Sequence, residues 1–166
     1  MNCTSYIIRA YWNKGIKKYL SAGSDQHEAT SGLYPGIIRI YAHVDGNVTT
    51  EKYLKAIKDG HSYVTMGPIF TPAANTMFGS TQKVPAGGKY TLHTEVQAVD
   101  GLARIDVYCE GKAIASQEFN NTQDAAQYTL IVEPTKNSWY SFVAIDSKGH
   151  YAVTNPIWVD VAGTVK

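Results

Sequence analysis

The residues most able to do chemistry lie together at Gly23-Ser24-Asp25-Gln26-His27. An aspartate and a histidine two positions apart on extended backbone point to the same side of the chain. Carboxylate oxygen and imidazole nitrogen both ligate divalent ions, so Asp25 and His27 are candidate metal ligands. The same short pattern also fits a turn-stabilising aspartate beside an ordinary surface histidine. From the residues alone, both interpretations stay open.

Other polar candidates follow this motif, and each has a plainer alternative. Arg39 and His43 share one face of an apolar run, where they could line an anion site or point outward to water. His61 directly follows a glycine that is predicted to end a helix, so a contact with the helix dipole explains it equally well. Glu28 is expected to be solvated. With no H-x-H, H-E-x-x-H, phosphate loop or nucleophile elbow in the sequence, the visible ligand set is incomplete for a catalytic metal.

The composition excludes several classes of protein. A net charge of +1 with 17% charged residues argues against a disordered tail and against a nucleic-acid-coating surface. No apolar run approaches the roughly 20 residues of a membrane span. Cys3 and Cys109 have neither the spacing of a metal site nor the density of a disulfide scaffold, and we expect them not to be bonded to each other. The chain has 12 Tyr against 4 Phe, which favours half-buried strands and, more weakly, an extracytoplasmic location.

Two patterns of periodicity divide the chain near residue 74. Residues 1–74 alternate helix-like and strand-like segments, which predicts an α/β piece too short to form a complete domain. The predicted elements are a helix ending at Lys14, strands at 16–22, 37–44 and 62–65, and a helix from Thr50 to Gly60 with Tyr53, Leu54 and Ile57 on its buried face.

Residues 75–166 instead alternate at period two, with turn residues between short runs. Six or seven short strands in this length predict an immunoglobulin-like antiparallel β-sandwich, with Pro156 breaking the last strand. The predicted fold class is therefore α+β in two parts. An α/β portion at 1–74 is followed by the sandwich at 75–166.

Taken in order, these motifs resemble the end of a PHP (polymerase and histidinol phosphatase) metallohydrolase domain of the CehA/McbA-like branch. That branch closes with a tryptophan-bearing helix, a strand leading into S-D-x-H, an Arg-bearing strand, a helix ending in G-R and a T-x-G-P turn. Several members then carry a β-sandwich ending in T-N-P-I and an aromatic residue. The matching positions here are Trp12, Gly15, Ser24 to His27, Gly36, Arg39 to Tyr41, Gly60-His61, Thr65 to Pro68 and Thr154 to Trp158.

The resemblance implies that residues 1–74 are the remnant of a PHP-type (β/α) barrel. Asp25 and His27 would be the last metal-binding motif of its multinuclear site, which holds Zn, Mn or Fe. Arg39 would face the substrate, with His61 standing where arginine is usual. The family's other ligands have no counterpart here, so we expect the chain to be the C-terminal part of a longer hydrolase and inactive alone. The intact parent would hydrolyse a small anionic phosphate ester through metal-activated water.

A different class of function also fits the sequence. The sandwich could brace a catalytic domain or bind carbohydrate or protein. Tyr108, Tyr140 and Trp158 could form an aromatic platform for sugar, but the alternation of their strands favours packing in the core.

Overall fold

A computed structural model describes residues 3–25, 34–121 and 123–163. The helices are α1 (Cys3–Asn13) and α2 (Thr50–Asp59), with a short 3-10 helix at Ala74–Thr76. The strands are β1 (Arg39–Ala42), β2 (Ser62–Thr65), β3 (Ile69–Pro72), β4 (Thr81–Val84), β5 (Tyr90–Gln97), β6 (Leu102–Cys109), β7 (Lys112–Glu118), β8 (Ala125–Val132), β9 (Ser138–Asp146), β10 (Tyr151–Thr154) and β11 (Ile157–Val161).

The strands form two sheets that pack face to face. The larger sheet has eight strands in the path β1-β2-β10-β9-β11-β4, with β6 on the other side of β9 and β7 beyond β6. The smaller sheet has three strands in the order β3-β5-β8. Alternate residues point inward, as the period-two pattern predicts, and Leu92, Val96, Ile105 and Phe142 are completely buried between the sheets. The chain is therefore a β-sandwich.

The long central strand β9 organises the larger sheet. Along one edge of β9, residues 143–145 pair with β10 and residues 138–140 pair with β11. Only Asn155 and Pro156 separate β10 from β11. Proline cannot donate to a ladder, so the strand is interrupted there as predicted, although both parts remain beside β9. Asn155 lies at this interruption, between the end of β10 and the start of β11, and it is completely buried.

The predicted α+β class, with an α/β barrel remnant before the sandwich, is wrong. In a βαβ unit the strands on either side of the helix are parallel, whereas β1 and β2 flank α2 and pair antiparallel, Arg39 opposite Thr65 and Ala42 opposite Ser62. The other edge of β2 pairs with β10, so both strands extend the larger sheet of the sandwich. The division of the chain at residues 74 and 75 stays a prediction.

The remaining N-terminal segments lie on the outside of the sandwich. Trp12 of α1 packs edge-to-face on Trp139, with ring centroids 5.0 Å apart, and Trp158 completes a second apolar cluster. Residues 16–22 were predicted to be a strand, but they form an extended segment with no strand ladder. Neither of the described α-helices has the length and apolar character of a membrane-spanning segment.

Candidate functional site

The extended segment at 16–22, which leads to Asp25, is held by side chains rather than by a strand. The indole N–H of Trp12 donates to the carbonyl of Lys18 at 2.7 Å. Further along, the backbone N–H of Leu20 donates to Oδ1 of Asn155, also at 2.7 Å. Between them, the Tyr19 ring lies against Gly60, where an added Cβ would come within 2.4 Å of the ring. The sandwich thus fixes the path of the chain toward Asp25.

Asn155 connects three parts of the fold. Its Oδ1 accepts from the N–H of Leu20, and its Nδ2 donates to Oγ of Ser62 at the start of β2. The backbone N–H of Asn155 also donates to the carbonyl of Ser62, at 3.3 Å. The side chains of Asn155 and Ser62 are buried, so these bonds are shielded from water. Asn155 therefore joins the segment before Asp25 and strand β2 to the body of the sandwich.

Asp25 lies at the end of the described part of its loop, on the surface. Its backbone φ is 47°, in the left-handed region that aspartate tolerates better than most residues. The hydroxyl of the adjacent Ser24 accepts from the N–H of Gly36 at 3.4 Å, and Nη1 of Arg39 donates to the carbonyl of the same glycine at 3.0 Å. The structure thus places the Asp25 loop and Arg39 on either side of Gly36.

His61 lies at the other end of the β1–β2 pair. The carbonyl of His61 accepts from the N–H of His43 at 2.8 Å, just beyond the end of β1 opposite Arg39. Both histidines line a small cavity of about 160 Å³, together with Tyr41 and Tyr63. A strand the length of β1 spans about 10 Å, so His61 and Arg39 do not form one site in this structure. His27 and Glu28 lie outside the described residues.

The Asp25 loop is where the family resemblance implies a divalent ion. Among the described residues it supplies one candidate ligand, the exposed carboxylate of Asp25. A catalytic metal takes at least three protein ligands, so this part of the chain does not hold such an ion by itself. A metal role for Asp25 and His27 needs further ligands and stays a proposal.

A group that the sequence reasoning missed is Asp100, Asp146 and His150, whose ligand atoms lie within 4.8 Å of one another. Its members have protein partners. Oδ1 of Asp146 accepts the backbone N–H groups of Lys148 and His150, and its Oδ2 lies 2.9 Å from Nδ1 of His150. Asp100 pairs with Nζ of Lys148 at 2.7 Å. These contacts describe a capped turn between β9 and β10, for which the sequence signal is Asp-Ser-Lys-Gly-His at 146–150.

The outer face of the larger sheet carries an apolar cavity of about 560 Å³ beside the segment that leads to Asp25. Its floor is formed by outward-facing aliphatic side chains of β2, β9 and β10, and its rim by Leu20, Ala22 and Ile38. At one side Arg104 pairs with Asp106 at 3.1 Å, and Asp106 also accepts from Ser116. Because these two charges are paired, the cavity offers an apolar surface rather than a reactive group.

The aromatic residues considered as a sugar platform are covered. Tyr140 and Trp158 are buried, and burial raises the pKa of Tyr140 to about 12. The guanidinium of Arg9 lies 3.7 Å from the centre of the Tyr108 ring and covers it, and burial lowers the pKa of Arg9. The structure does not present these three rings together to a ligand, in agreement with the expectation of core packing.

The largest exposed apolar side chains are unevenly distributed. Among the described residues, eight of the eleven lie before residue 55: Ile7, Tyr11, Ile16, Tyr34, Tyr41, Val48, Tyr53 and Leu54. The sequence predicted that Tyr53, Leu54 and Ile57 form the buried face of α2. Leu54 is instead 50% exposed, and Ala56 is the buried residue of that helix. We call Tyr41, Tyr53 and Leu54 the open face.

Comparisons with known proteins identify no family. No family model and no curated protein matches this chain. Among solved structures, a lytic polysaccharide monooxygenase of Jonesia denitrificans has a TM-score of 0.40 at 13% identity, covering 93% of each chain. The extracellular domain of mouse leukocyte-associated immunoglobulin-like receptor 1 has a TM-score of 0.36 at 15% identity, covering 58% of this chain and 95% of that one. Fibronectin(III)-like modules of Clostridium thermocellum CbhA give 0.34 at 18% identity, covering 56% and 93%. Scores this low do not transfer a function.

Proposed function

We propose that this chain is a protein-binding β-sandwich module that braces a metal-dependent hydrolase domain of the PHP type. The observation that carries the proposal is the open face of Tyr41, Tyr53 and Leu54. Tyr53 and Leu54 are on α2 and Tyr41 is on β1, and these two elements contact each other. Apolar side chains that are exposed together on neighbouring elements can form an interaction surface. Tyr41 stacks on the buried ring of Tyr63, with ring centroids 5.6 Å apart, whereas Tyr53 and Leu54 lie outside the core clusters. The exposed parts of all three side chains are available to a partner.

Helix α2 shows why a protein surface is the best occupant. The helix is well formed, since the Thr49 side chain accepts from the N–H of Lys52 and the N–H of Gly60 closes its end. An amphipathic helix with good caps and an exposed apolar side gains stability when another element covers that side. A flat partner surface fits this need better than a small ligand, because the adjoining cavity of about 160 Å³ is small.

The proposed partner follows from the motif order and from the loop that the sandwich holds. Ser24 and Arg39 both bond to Gly36, so this glycine links the loop that leads to Asp25 with the Arg39 side chain. In the proposed assembly Asp25 and His27 complete the metal shell of the partner domain, and Arg39 faces its anionic substrate. The sandwich holds the Asp25 loop in place, because Asn155 bonds to the N–H of Leu20, five residues before Asp25.

Calorimetric titration of this chain against a PHP-type domain that ends before its own last D-x-H motif tests the proposal. We expect saturable one-to-one binding. Leu54→Glu should weaken it by at least about tenfold, since a charge would enter an apolar contact. Lys52→Glu is the control, because it adds a carboxylate to the same helix at an exposed position on the side opposite Leu54, and it should leave binding within about twofold. Failure to bind, or equal effects of the two variants, would refute the proposed surface.

A further inference from the structure

Strand β8 is an unprotected edge of the smaller sheet. It pairs with β5 on one side over its whole length and has no strand on the other side within the described part of the chain. Unpaired edges invite pairing with another chain, and proteins ordinarily protect them with charges, proline, bulges or short length. None of these protections occurs in β8, whose sequence is Ala-Ala-Gln-Tyr-Thr-Leu-Ile-Val.

The other sheet edges of the described residues are protected. β1, β3 and β4 have four residues each and contain Arg39, Pro72 and Lys83 respectively. β7 begins with Lys112, ends with Glu118 and pairs irregularly with β6. The absence of protection is therefore specific to β8.

The hydrogen-bond pattern shows which backbone groups face this edge. The N–H of Ala98 donates to the carbonyl of Asp124 at 2.8 Å, so these two opposed residues form a hydrogen-bonded pair. In an antiparallel ladder every second opposed pair is hydrogen-bonded, so the even-numbered residues of β8 form such pairs with β5. Even-numbered residues of β8 then point their backbone groups toward β5, and odd-numbered residues point theirs outward. The carbonyl of Ala125 agrees with this assignment, because it accepts from Nε2 of Gln123 at 2.6 Å rather than from β5.

We propose that two copies of this protein associate by antiparallel pairing of β8 with β8 about a two-fold axis at Tyr128, forming one continuous six-stranded sheet. Side chains that oppose each other across two strands must lie on the same face. An axis at Tyr128 satisfies this rule. It also lets every residue of β8 whose backbone groups point away from β5, from Ala125 to Ile131, form hydrogen bonds with the second copy. It places Ala125 opposite Ile131 of the second copy and Gln127 opposite Thr129.

Charge and burial favour a second copy over an unrelated strand. Because β8 carries no charge, two-fold pairing brings no like charges into opposition along the strand. Ile131 is 59% exposed and would pack on Ala125 of the second copy. The core-facing side chains of Ala126 and Leu130 are only partly buried at this edge, and the pairing places them opposite each other. This surface is separate from the open face, so the inference stands without the proposed function.

Sedimentation equilibrium of the whole chain over a concentration series tests the pairing. We expect a monomer–dimer equilibrium. Thr129→Pro should weaken it at least about tenfold, because proline removes an outward N–H that β5 does not use. Thr129→Ala is the matched control, since both variants lose the 2.8 Å hydrogen bond between His93 and Thr129. Thr129→Lys gives an independent variant that keeps the N–H and sets two like charges diagonally across the axis, and it should also favour the monomer.

The register has its own readout. In a Cys3→Ser, Cys109→Ser background, mixing Gln127→Cys with Thr129→Cys should give a disulfide-linked heterodimer. Directly opposed residues of a bonded pair lie about 5.5 Å apart at Cα, within disulfide reach. Gln127→Cys alone should cross-link much less. A monomer at every concentration, open-ended assembly, a dimer insensitive to both Thr129→Pro and Thr129→Lys, or cross-linking without the predicted preference would each overturn the proposal.

Discussion

Replacement of Asn155 by alanine should loosen the attachment of the N-terminal segment to the sandwich. The side chain is completely buried and bonds to the N–H of Leu20 at 2.7 Å and to Oγ of Ser62 at 2.9 Å. Asn155→Ala leaves both groups without that partner. A buried polar group left unsatisfied costs about 1–3 kcal/mol, and the half-buried Leu20 N–H can recover part of its loss from water.

We therefore expect Asn155→Ala to lower the free energy of unfolding by about 2–4 kcal/mol. For a chain of this size each kcal/mol lowers Tm by about 2–4 °C, so Tm should fall by roughly 5–15 °C. Hydrogen exchange should also show a less protected Leu20 amide, which a general loss of packing would not single out. Asn75→Ala, at an exposed asparagine, is the matched control and should change stability by less than about 0.5 kcal/mol. An unchanged Tm together with an unchanged Leu20 exchange rate would refute the reasoning.

Three further predictions concern the core and its titratable groups. Phe70→Ala should cost about 3–5 kcal/mol in urea unfolding, because the Phe70 ring from β3 is buried in the sandwich core; a loss below 1 kcal/mol would contradict this placement. Burial raises the pKa of Cys109, so in a Cys3→Ser variant its alkylation at pH 8 should lag behind that of a free thiol and accelerate toward pH 10; equal rates would contradict it. Burial also raises the pKa of Tyr90 from 10.0 to about 12. The folded state holds this proton more tightly than the unfolded chain, so stability is retained below pH 10 and falls as pH rises toward 12; thermal melts should show a smaller fall in Tyr90→Phe.

Local patterns in the sequence predict much of the strand content. β2 spans the predicted residues 62–65, and the alternation from Tyr90 onward matches the inward and outward faces of β5. Gly60 ends α2 as predicted, because its φ of 76° suits glycine. The N-cap of the helix is Thr49 rather than Thr50, a shift of one residue that the adjacent threonines leave open.

Partners distant in sequence explain the errors. The apolar residues at 16–22 alternate enough to resemble a strand, but the Leu20 N–H bonds to a side chain 135 residues away. The order strand-helix-strand predicted a parallel unit, but β2 follows α2 directly and pairs antiparallel with β1 and with β10. The role of Asn155 could not be predicted either, since an Asn-Pro pair usually signals a turn. Ser24, which precedes Asp25, and Arg39 both bond to Gly36, while His61 lies at the opposite end of β1.

Hydrolysis by the assembled partners tests the central claim most directly. A PHP-type domain lacking its last D-x-H motif is mixed with this chain and Mn²⁺, and release of p-nitrophenol from p-nitrophenyl phosphate is followed. Activity should appear only in the mixture. Asp25→Asn should abolish activity while leaving binding by titration unchanged, and Leu54→Glu should lose both together. Binding without activity would confine the role of the chain to bracing, and full activity with Asp25→Asn would contradict the proposed metal role. Absence of binding and of activity would contradict the account as a whole.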